Sequence, residues 1–326
     1  MPALARTATA VALGLSSALL LAGCSDPSDG GTTEIADTSG ARTRINLSAD
    51  QKRITTEKVD SIAARLPAEI RERGTLKTVA SSTSSAPLTF YATDNKTQIG
   101  VETDIAHLVG DVLGLKIDTT PVSWENIFVG LDSAKYDVGF SNITVTEERK
   151  EKYDFATYRE DNLGFEAEKG SGLEVDGPED VAGLTVAVSS GTNQEKLLVE
   201  WSKENEEAGR KPVDIKYYQN ESDTYLALRS GRIDLYLGPN PTAAYHAATS
   251  GKTEVVGTYS GAGDTLQGLI AATTKKGSGL VEPLADALDE VIDNGTYAKV
   301  LARWGLADEA VEKSEINPPG LPKTDE

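Results

Sequence analysis

The sequence predicts an α/β protein of two lobes, each a mostly parallel sheet with helices on its faces. Three observations carry that prediction. Strand-like and helix-like segments alternate, the arrangement that places helices over parallel strands. The alternation occurs twice, over about 76–160 and again over about 180–260. The chain has 326 residues, which suits two lobes of about 100 residues each plus tails.

The elements follow in order. Ile62, Leu66 and Ile70 recur at helical spacing and Pro67 interrupts them, which predicts a short helix over 67–73. LKTVAS at 76–81 reads as a strand ended by a Ser-rich turn. In DIAHLVGDVLG at 104–114, Ile105, Leu108, Val109, Val112 and Leu113 share one helical face, with Asp104 as N-cap and Gly114 as the stop. LKIDTTPVSW, WENIFVGLDSA and YDVGFSN continue as strand, helix, strand. In the second set, TVAVSSGT, VDIKYYQN and IDLYLGP read as strands around the helices NQEKLLVEWSKENEE and SDTYLALRSG. QGLIAAT near 268–274 is a further strand, and 280–305 is a long amphipathic helical region broken at Gly295. The tail EINPPGLPKTDE is expected to be disordered.

Charge and composition narrow the function. Lys and Arg total 32 against 51 Asp and Glu, a net charge of −19. Nucleic-acid binding needs a basic surface, so no nucleic-acid partner is expected, nor electrostatic attachment to lipid headgroups. The acidic surface suits a monomer. One Cys and two His, His107 and His246, are too few for a transition-metal site, and no D-x-[DN]-x-[DN]-G loop occurs. No metal and no cofactor are expected.

The first 24 residues, MPALARTATAVALGLSSALLLAGC, carry one early charge, Arg6, and then run apolar and small. The apolar stretch falls short of a bilayer span and reads as a secretory signal. LAGC at 21–24 resembles the bacterial lipobox, whose Cys becomes the first mature residue and carries lipid. Cys24 is therefore the expected lipidation site, holding the protein to the extracytoplasmic face of the cell membrane. Residues 25–60, rich in Ser, Asp, Thr and Gly, are expected to be a flexible tether.

Several motifs stand in a recognisable order: GTLKTV at 74–79, IGVETDIA at 99–106, W-x-x-x-F-x-x-L at 124–131 and KYDVGFSNITVTEERKEKYDFA at 135–156. LTVAVSSGTNQE at 184–195, SGRIDLYLG at 230–238 and NGTYAKVLARWG at 294–305 follow. Together they resemble the extracytoplasmic solute-binding proteins of polar amino-acid ABC importers, over about 74–305. The resemblance implies a periplasmic-binding-protein-like fold, with two hinge crossovers and an inter-lobe ligand cleft. The expected domains are a signal peptide 1–23, a lipidated tether 24–66, lobe one from 67–162 and 268–310, lobe two from 163–267, and a disordered tail 311–326.

Arg149 is the first candidate for ligand binding, because its planar fork takes a carboxylate with two parallel hydrogen bonds. The resemblance assigns it and Thr144 to a T-x-x-x-x-R pattern that clamps an α-carboxylate. Ser141 and Asn142 stand at the end of a strand, where α/β folds place ligands. Ser189, Thr192 and Asn193 form a strand-to-helix turn whose amides suit an anion, and the resemblance makes Thr192 the second lobe's binding Thr. Trp124 is a candidate wall against the ligand side chain.

Two departures from the family pattern concern the ligand's ammonium. Pro239 stands where the family commonly has an Asp, and Ser82 and Ser85 stand where an Asp and an aromatic often precede the A-P turn. Either Asn240, Glu102 or another carboxylate substitutes, or the ligand lacks an α-ammonium. The leading reading is a lipid-anchored binding protein, not an enzyme, that delivers a small carboxylate-bearing solute to an ABC permease. The alternatives are an exported dehydratase on the same fold, with Glu102 or Asp104 as acid, and a ligand-sensing module for a membrane receptor.

Overall fold

The computed structural model describes residues 31–36, 42–82 and 84–323. The signal peptide expected over 1–23 and the lipidation site Cys24 lie outside the described residues. The first described element is a hairpin: β1 (Thr32–Ala36) pairs antiparallel with β2 (Arg42–Asn46), Thr32 opposite Asn46. Ile45 is only 1 % exposed and joins a core with Leu66, Leu76, Ile105 and Trp304. α1 (Asp60–Ala63) follows, and the Val59 amide donates to the Val112 carbonyl at 2.9 Å.

The flexible tether expected to run to residue 66 is therefore corrected: residues 42–66 pack on the first lobe. The apolar residues Ile45, Leu47, Ile54, Val59 and Ile62 follow neither the period of a strand nor that of a long helix. Their burial comes from the surface they meet, which local pattern does not encode.

The first lobe continues with α2 (Ala68–Arg73), β3 (Thr75–Ser81), the small hairpin β4 (Phe90–Tyr91) and β5 (Gln98–Ile99), and α3 (Val101–Leu113). β6 (Lys116–Val122), α4 (Trp124–Asp132) and β7 (Val138–Gly139) complete its first half. α3 begins before Asp104, capped by Gly100, so Asp104 is not the N-cap. It is buried within the first turn and accepts from Trp304 Nε1 at 2.8 Å.

β8 (Tyr153–Glu168) then runs through both lobes. The second lobe holds β9 (Thr185–Val188), α5 (Asn193–Glu207), β10 (Asp214–Tyr217), α6 (Glu221–Arg229), β11 (Leu235–Pro239), α7 (Asn240–Ser250) and β12 (Thr253–Ser260). The chain returns to the first lobe with β13 (Gly268–Lys275), α8 (Val281–Asp293) and α9 (Thr296–Arg303).

One curled sheet joins the lobes in the order β10-β9-β11-β8-β13-β7-β3-β6, with β12 also pairing β8. The outer pairs are parallel: β3 with β6 and β7, and β9 with β10 and β11. The centre is antiparallel, because β8 runs against β11, β12 and β13. The sheet is thus more mixed than the alternation of elements suggested. β8 pairs β13 up to Asp161 and β12 from Asn162 onward, so the chain crosses between lobes there and again over 261–267.

Each lobe buries apolar side chains on both sheet faces, as layered α/β packing requires. Leu76, Ile105, Leu284 and Trp304 fill one face of the first lobe, and Val79, Ile127, Leu131 and Phe155 the other. In the second lobe Phe165 stacks on Trp201, ring centroids 5.5 Å apart, while Leu228 and Tyr236 pack on the opposite face.

The disordered tail expected over 311–326 is also corrected for the described residues 311–323. The Glu315 amide donates to Thr157 Oγ1 at 2.8 Å, the Asn317 amide to the Phe155 carbonyl at 3.0 Å and the Leu321 amide to the Val145 carbonyl at 3.1 Å. Leu321 is 2 % exposed and reaches the second-lobe core. Residues of low hydrophobicity are ordered here by backbone hydrogen bonds, which composition does not report. Among the described residues no helix is long and apolar enough to cross a membrane.

If residues 42–66 belong to the core, Ile45→Ala lowers stability by about 2–5 kcal/mol, the usual range for truncating a buried aliphatic side chain. Urea unfolding measures it; an unchanged midpoint would return the segment to a tether.

Candidate ligand-binding cleft

Strand ends from both lobes and the N-termini of α4, α5, α6 and α7 converge between the lobes. A cavity of about 110 Å³ lies there. Ser81 ends β3, and Ser141 and Asn142 follow β7. From the second lobe, Ser189, Thr192 and Asn193 lie between β9 and α5, Gln219 to Glu221 between β10 and α6, and Gly238 and Pro239 at the end of β11. Strand ends of this kind are where α/β sheets bind ligands.

The turn before α5 shows how local sequence sets the site. Gly191 adopts φ +75°, a left-handed conformation that costs L-residues with side chains energy. Thr192 then caps α5, its Oγ1 accepting from the Glu195 amide at 3.2 Å and donating to the Ser189 carbonyl at 2.7 Å. The turn leaves the Gly191 carbonyl facing the first lobe. Trp124 Nε1 donates to it at 3.1 Å and Arg149 Nη2 at 3.3 Å. One carbonyl of lobe two is therefore held by two donors of lobe one.

Asn142 is positioned by a buried ionic cluster. It has φ +51°, and its amide donates to Glu102 Oε2 at 3.2 Å. Its side-chain oxygen accepts from Arg159, which is fully buried and pairs with Glu102 at 3.0 Å and with Glu309. Tyr158 donates its hydroxyl to Glu102. Burial opposes the charge on Arg159, but Glu309 and Glu102 more than offset it and raise its pKa. Burial and the Glu102 charge push the Tyr158 hydroxyl well above its usual range.

A second node sits at the crossing between lobes. Asp161, 1 % exposed, accepts from Thr144 Oγ1 at 2.7 Å and from Asn193 Nδ2 at 3.0 Å. Burial raises its carboxyl pKa, against the bond from Thr144, the charge of Arg159 and the bond from Asn193. Gly261, whose amide donates to the Asp161 carbonyl at 2.9 Å, passes so close that an added Cβ would lie 1.8 Å from Asp161 Oδ2.

The structure sorts the candidates. Ser85, Trp124, Ser141, Asn142, Ser189, Thr192 and Asn193 line the cavity. Ser141 is partly committed, its Oγ accepting from the Ser81 amide at 2.8 Å. Three expected residues are not among those lining it. Thr144 is buried and its hydroxyl is taken by Asp161. Arg149 sits beside the cavity, over Trp124 at 5.3 Å and Phe128 at 5.2 Å, with Nη1 on the Thr144 carbonyl at 2.9 Å. Burial lowers its pKa to about 10, which leaves it charged at neutral pH. Asn240 begins α7 and faces β8 at Gly164 instead.

Glu221 was not singled out from sequence. The pattern SDTYLALRSG starts the helix at Ser222, which puts Glu221 in the preceding loop. α6 begins at Glu221, capped by Asn220, whose Oδ1 accepts from the Asp223 amide at 2.9 Å. An Asn followed three residues later by an acidic residue is the signal that marks this start. Ser85 of lobe one donates to the Glu221 carboxyl. Burial pushes that carboxyl up to about 7, opposed by the Ser85 bond. Among the described residues no group of His, Cys, Asp and Glu is placed to hold a metal ion.

Two α/β lobes joined by two crossings, with a polar cavity between them and an aromatic wall at its edge, define a solute-binding protein of the periplasmic type. Comparison with known families narrows this: residues 78–307 match the bacterial extracellular solute-binding proteins, family 3, and the chain belongs to that family. It is 29% identical over 268 residues to the arginine-binding protein ArgT of Corynebacterium glutamicum, covering 82% of this chain and 86% of that one. It is 30% identical over 241 residues to the L-cystine-binding protein TcyJ of Escherichia coli, covering 74% and 86%. An ancestral arginine-binding protein bound to arginine superposes with a TM-score of 0.62 at 30% identity, covering 71% of this chain and 98% of that one.

Gly→Ala replacements are often neutral where the backbone is permissive, but Gly261→Ala drives a methyl into Asp161. A loss of about 1–3 kcal/mol is expected from overpacking. Differential scanning calorimetry checks it, and an undiminished melting temperature would remove the crossing node from the account.

Proposed function

We propose that the protein captures a small carboxylate-bearing solute, an amino acid or a close relative, and presents it to an ABC permease. The observation that carries this reading is the arrangement around the Gly191 carbonyl. Arg149 holds it by the longer of its two bonds, 3.3 Å, with the guanidinium partly exposed against the cavity wall. A ligand carboxylate entering between the lobes exchanges that neutral acceptor for a charged one, a stronger bond in the same geometry. The helix N-termini at Thr192 and Asn220 add positive potential to the same cavity. Lobe closure around the ligand is then the state the permease recognises.

The relatives named for arginine and cystine support an amino-acid ligand. The LAGC pattern supports a lipid anchor on Cys24 at the extracytoplasmic face, and the acidic surface a monomer. The protein is proposed not to turn its ligand over. Glu102 is committed to Asn142, Tyr158 and Arg159, and Asp104 to Trp304 and Arg303, so neither expected acid faces the cavity.

A thermal-shift panel of amino acids with their deaminated and decarboxylated analogues tests this. Binders are expected to share a carboxylate and to raise the melting temperature with concentration. Arg149→Ala weakens the best binder about 10- to 100-fold, the equivalent of charge-assisted hydrogen bonds worth about 1.5–3 kcal/mol. Unchanged affinity in that variant would take the carboxylate away from Arg149.

A further inference from the structure

The cavity lining contains one carboxyl group and no Lys, Arg or His among the described residues. That carboxyl is Glu221. Its one hydrogen-bond donor across the cleft is the neutral Ser85 hydroxyl. The charged and titratable groups around it are otherwise engaged or uncharged. His246 of α7 is bonded to Glu166 of β8 at 2.5 Å and stacked on Tyr225 of α6 at 3.5 Å. Tyr236 of β11 lines the same cavity, and burial and the nearby carboxylates keep its hydroxyl protonated. An ionised carboxylate enclosed without a cation is unfavourable, so the empty site favours the protonated acid and a cation placed beside it favours the carboxylate. Pro239, at the neighbouring strand end, has no charge to offer in its place.

We propose that Glu221 receives the cationic group of the ligand, replacing Ser85 as its principal partner, so that the cleft selects solutes carrying both a carboxylate and an ammonium or guanidinium. The proposal rests on the amino-acid reading above and gives that ligand's second end a partner. It follows that the ligand carries a cationic group. It also couples binding to a proton. Burial holds the empty site's Glu221 protonated up to about pH 7, whereas an incoming cation requires the carboxylate. Binding near neutral pH therefore releases a proton.

Calorimetry of L-arginine and L-cystine against the full-length protein and its Glu221→Gln variant, near pH 6 and near pH 8, tests the proposal. The wild type is expected to bind at least one probe about tenfold more tightly at the higher pH, with heats that depend on the buffer's own ionisation. Glu221→Gln is expected to bind about tenfold or more weakly at the higher pH and to lose the pH dependence. Dependence on Glu221 for both probes places the α-ammonium at this carboxylate, and dependence for L-arginine alone places the guanidinium there. Equal affinity of variant and wild type overturns the inference and leaves the amino-acid reading standing. A wild type that binds neither probe, nor any amino acid of the thermal-shift panel, overturns both. Unfolding without ligand gives a second readout. A carboxyl raised from 4.5 to about 7 on folding makes the wild type lose stability as pH rises through that window. Glu221→Gln lacks that loss, and a pH dependence identical in both proteins also overturns the inference.

Discussion

Arg159 carries its charge in the interior of β8, the strand both lobes share, and the first lobe's side of the cleft is arranged around it. The guanidinium meets Glu102 from α3, Glu309 beyond α9 and the side chain of Asn142 at the cavity. Desolvating three ionisable groups is costly, and such a cluster adds little net stability over an apolar one. Its value is in direction. Glu102 holds the Asn142 backbone in its left-handed conformation, Arg159 holds the Asn142 side chain, and Tyr158 holds Glu102. A cavity residue is thus fixed from beneath by partners that do not line the cavity.

Around the cleft the two lobes meet through polar contacts, whereas Leu321 and Tyr245 make apolar contact across the lobes elsewhere. Asp161 ties Thr144 of one lobe to Asn193 of the other, the Gly191 carbonyl accepts from Trp124 and Arg149, and Ser85 reaches Glu221. Each is a hydrogen bond rather than an apolar interface, so each can exchange its partner without exposing core. That suits a cleft whose occupants replace the lobes' contacts with one another. On the proposed reading, Arg149 beside the Gly191 turn and Glu221 at the start of α6 receive opposite ends of the ligand.

The α/β alternation was legible because each helix and outer strand carries its own periodicity, as the Ile105–Leu113 face of α3 shows. β8 was not, because Arg159, Asp161 and Glu166 are buried in it and a strand covered on both faces loses its alternation. Residues 42–66 and 311–323 looked unstructured because their order comes from tertiary contact. At the site, Ser141, Asn142, Ser189 and Thr192 were legible as small polar residues at strand ends. Thr144 and Arg149 were expected at the cavity but do not line it, because their partners, Asp161 and the Gly191 carbonyl, are set by the crossing of the chain. Glu221 was concealed by a one-residue error in a helix start.

The buried charge on Arg159 sets the cleft face at Asn142. Native-state hydrogen exchange of the Arg159→Met protein tests it most directly, reading the segment that contains the Asn142 amide against β9 in the second lobe. Faster exchange is expected at Asn142, as Glu102 loses its cation and its geometry, while β9 keeps its protection. Exchange at Asn142 equal to that of the wild type would contradict it.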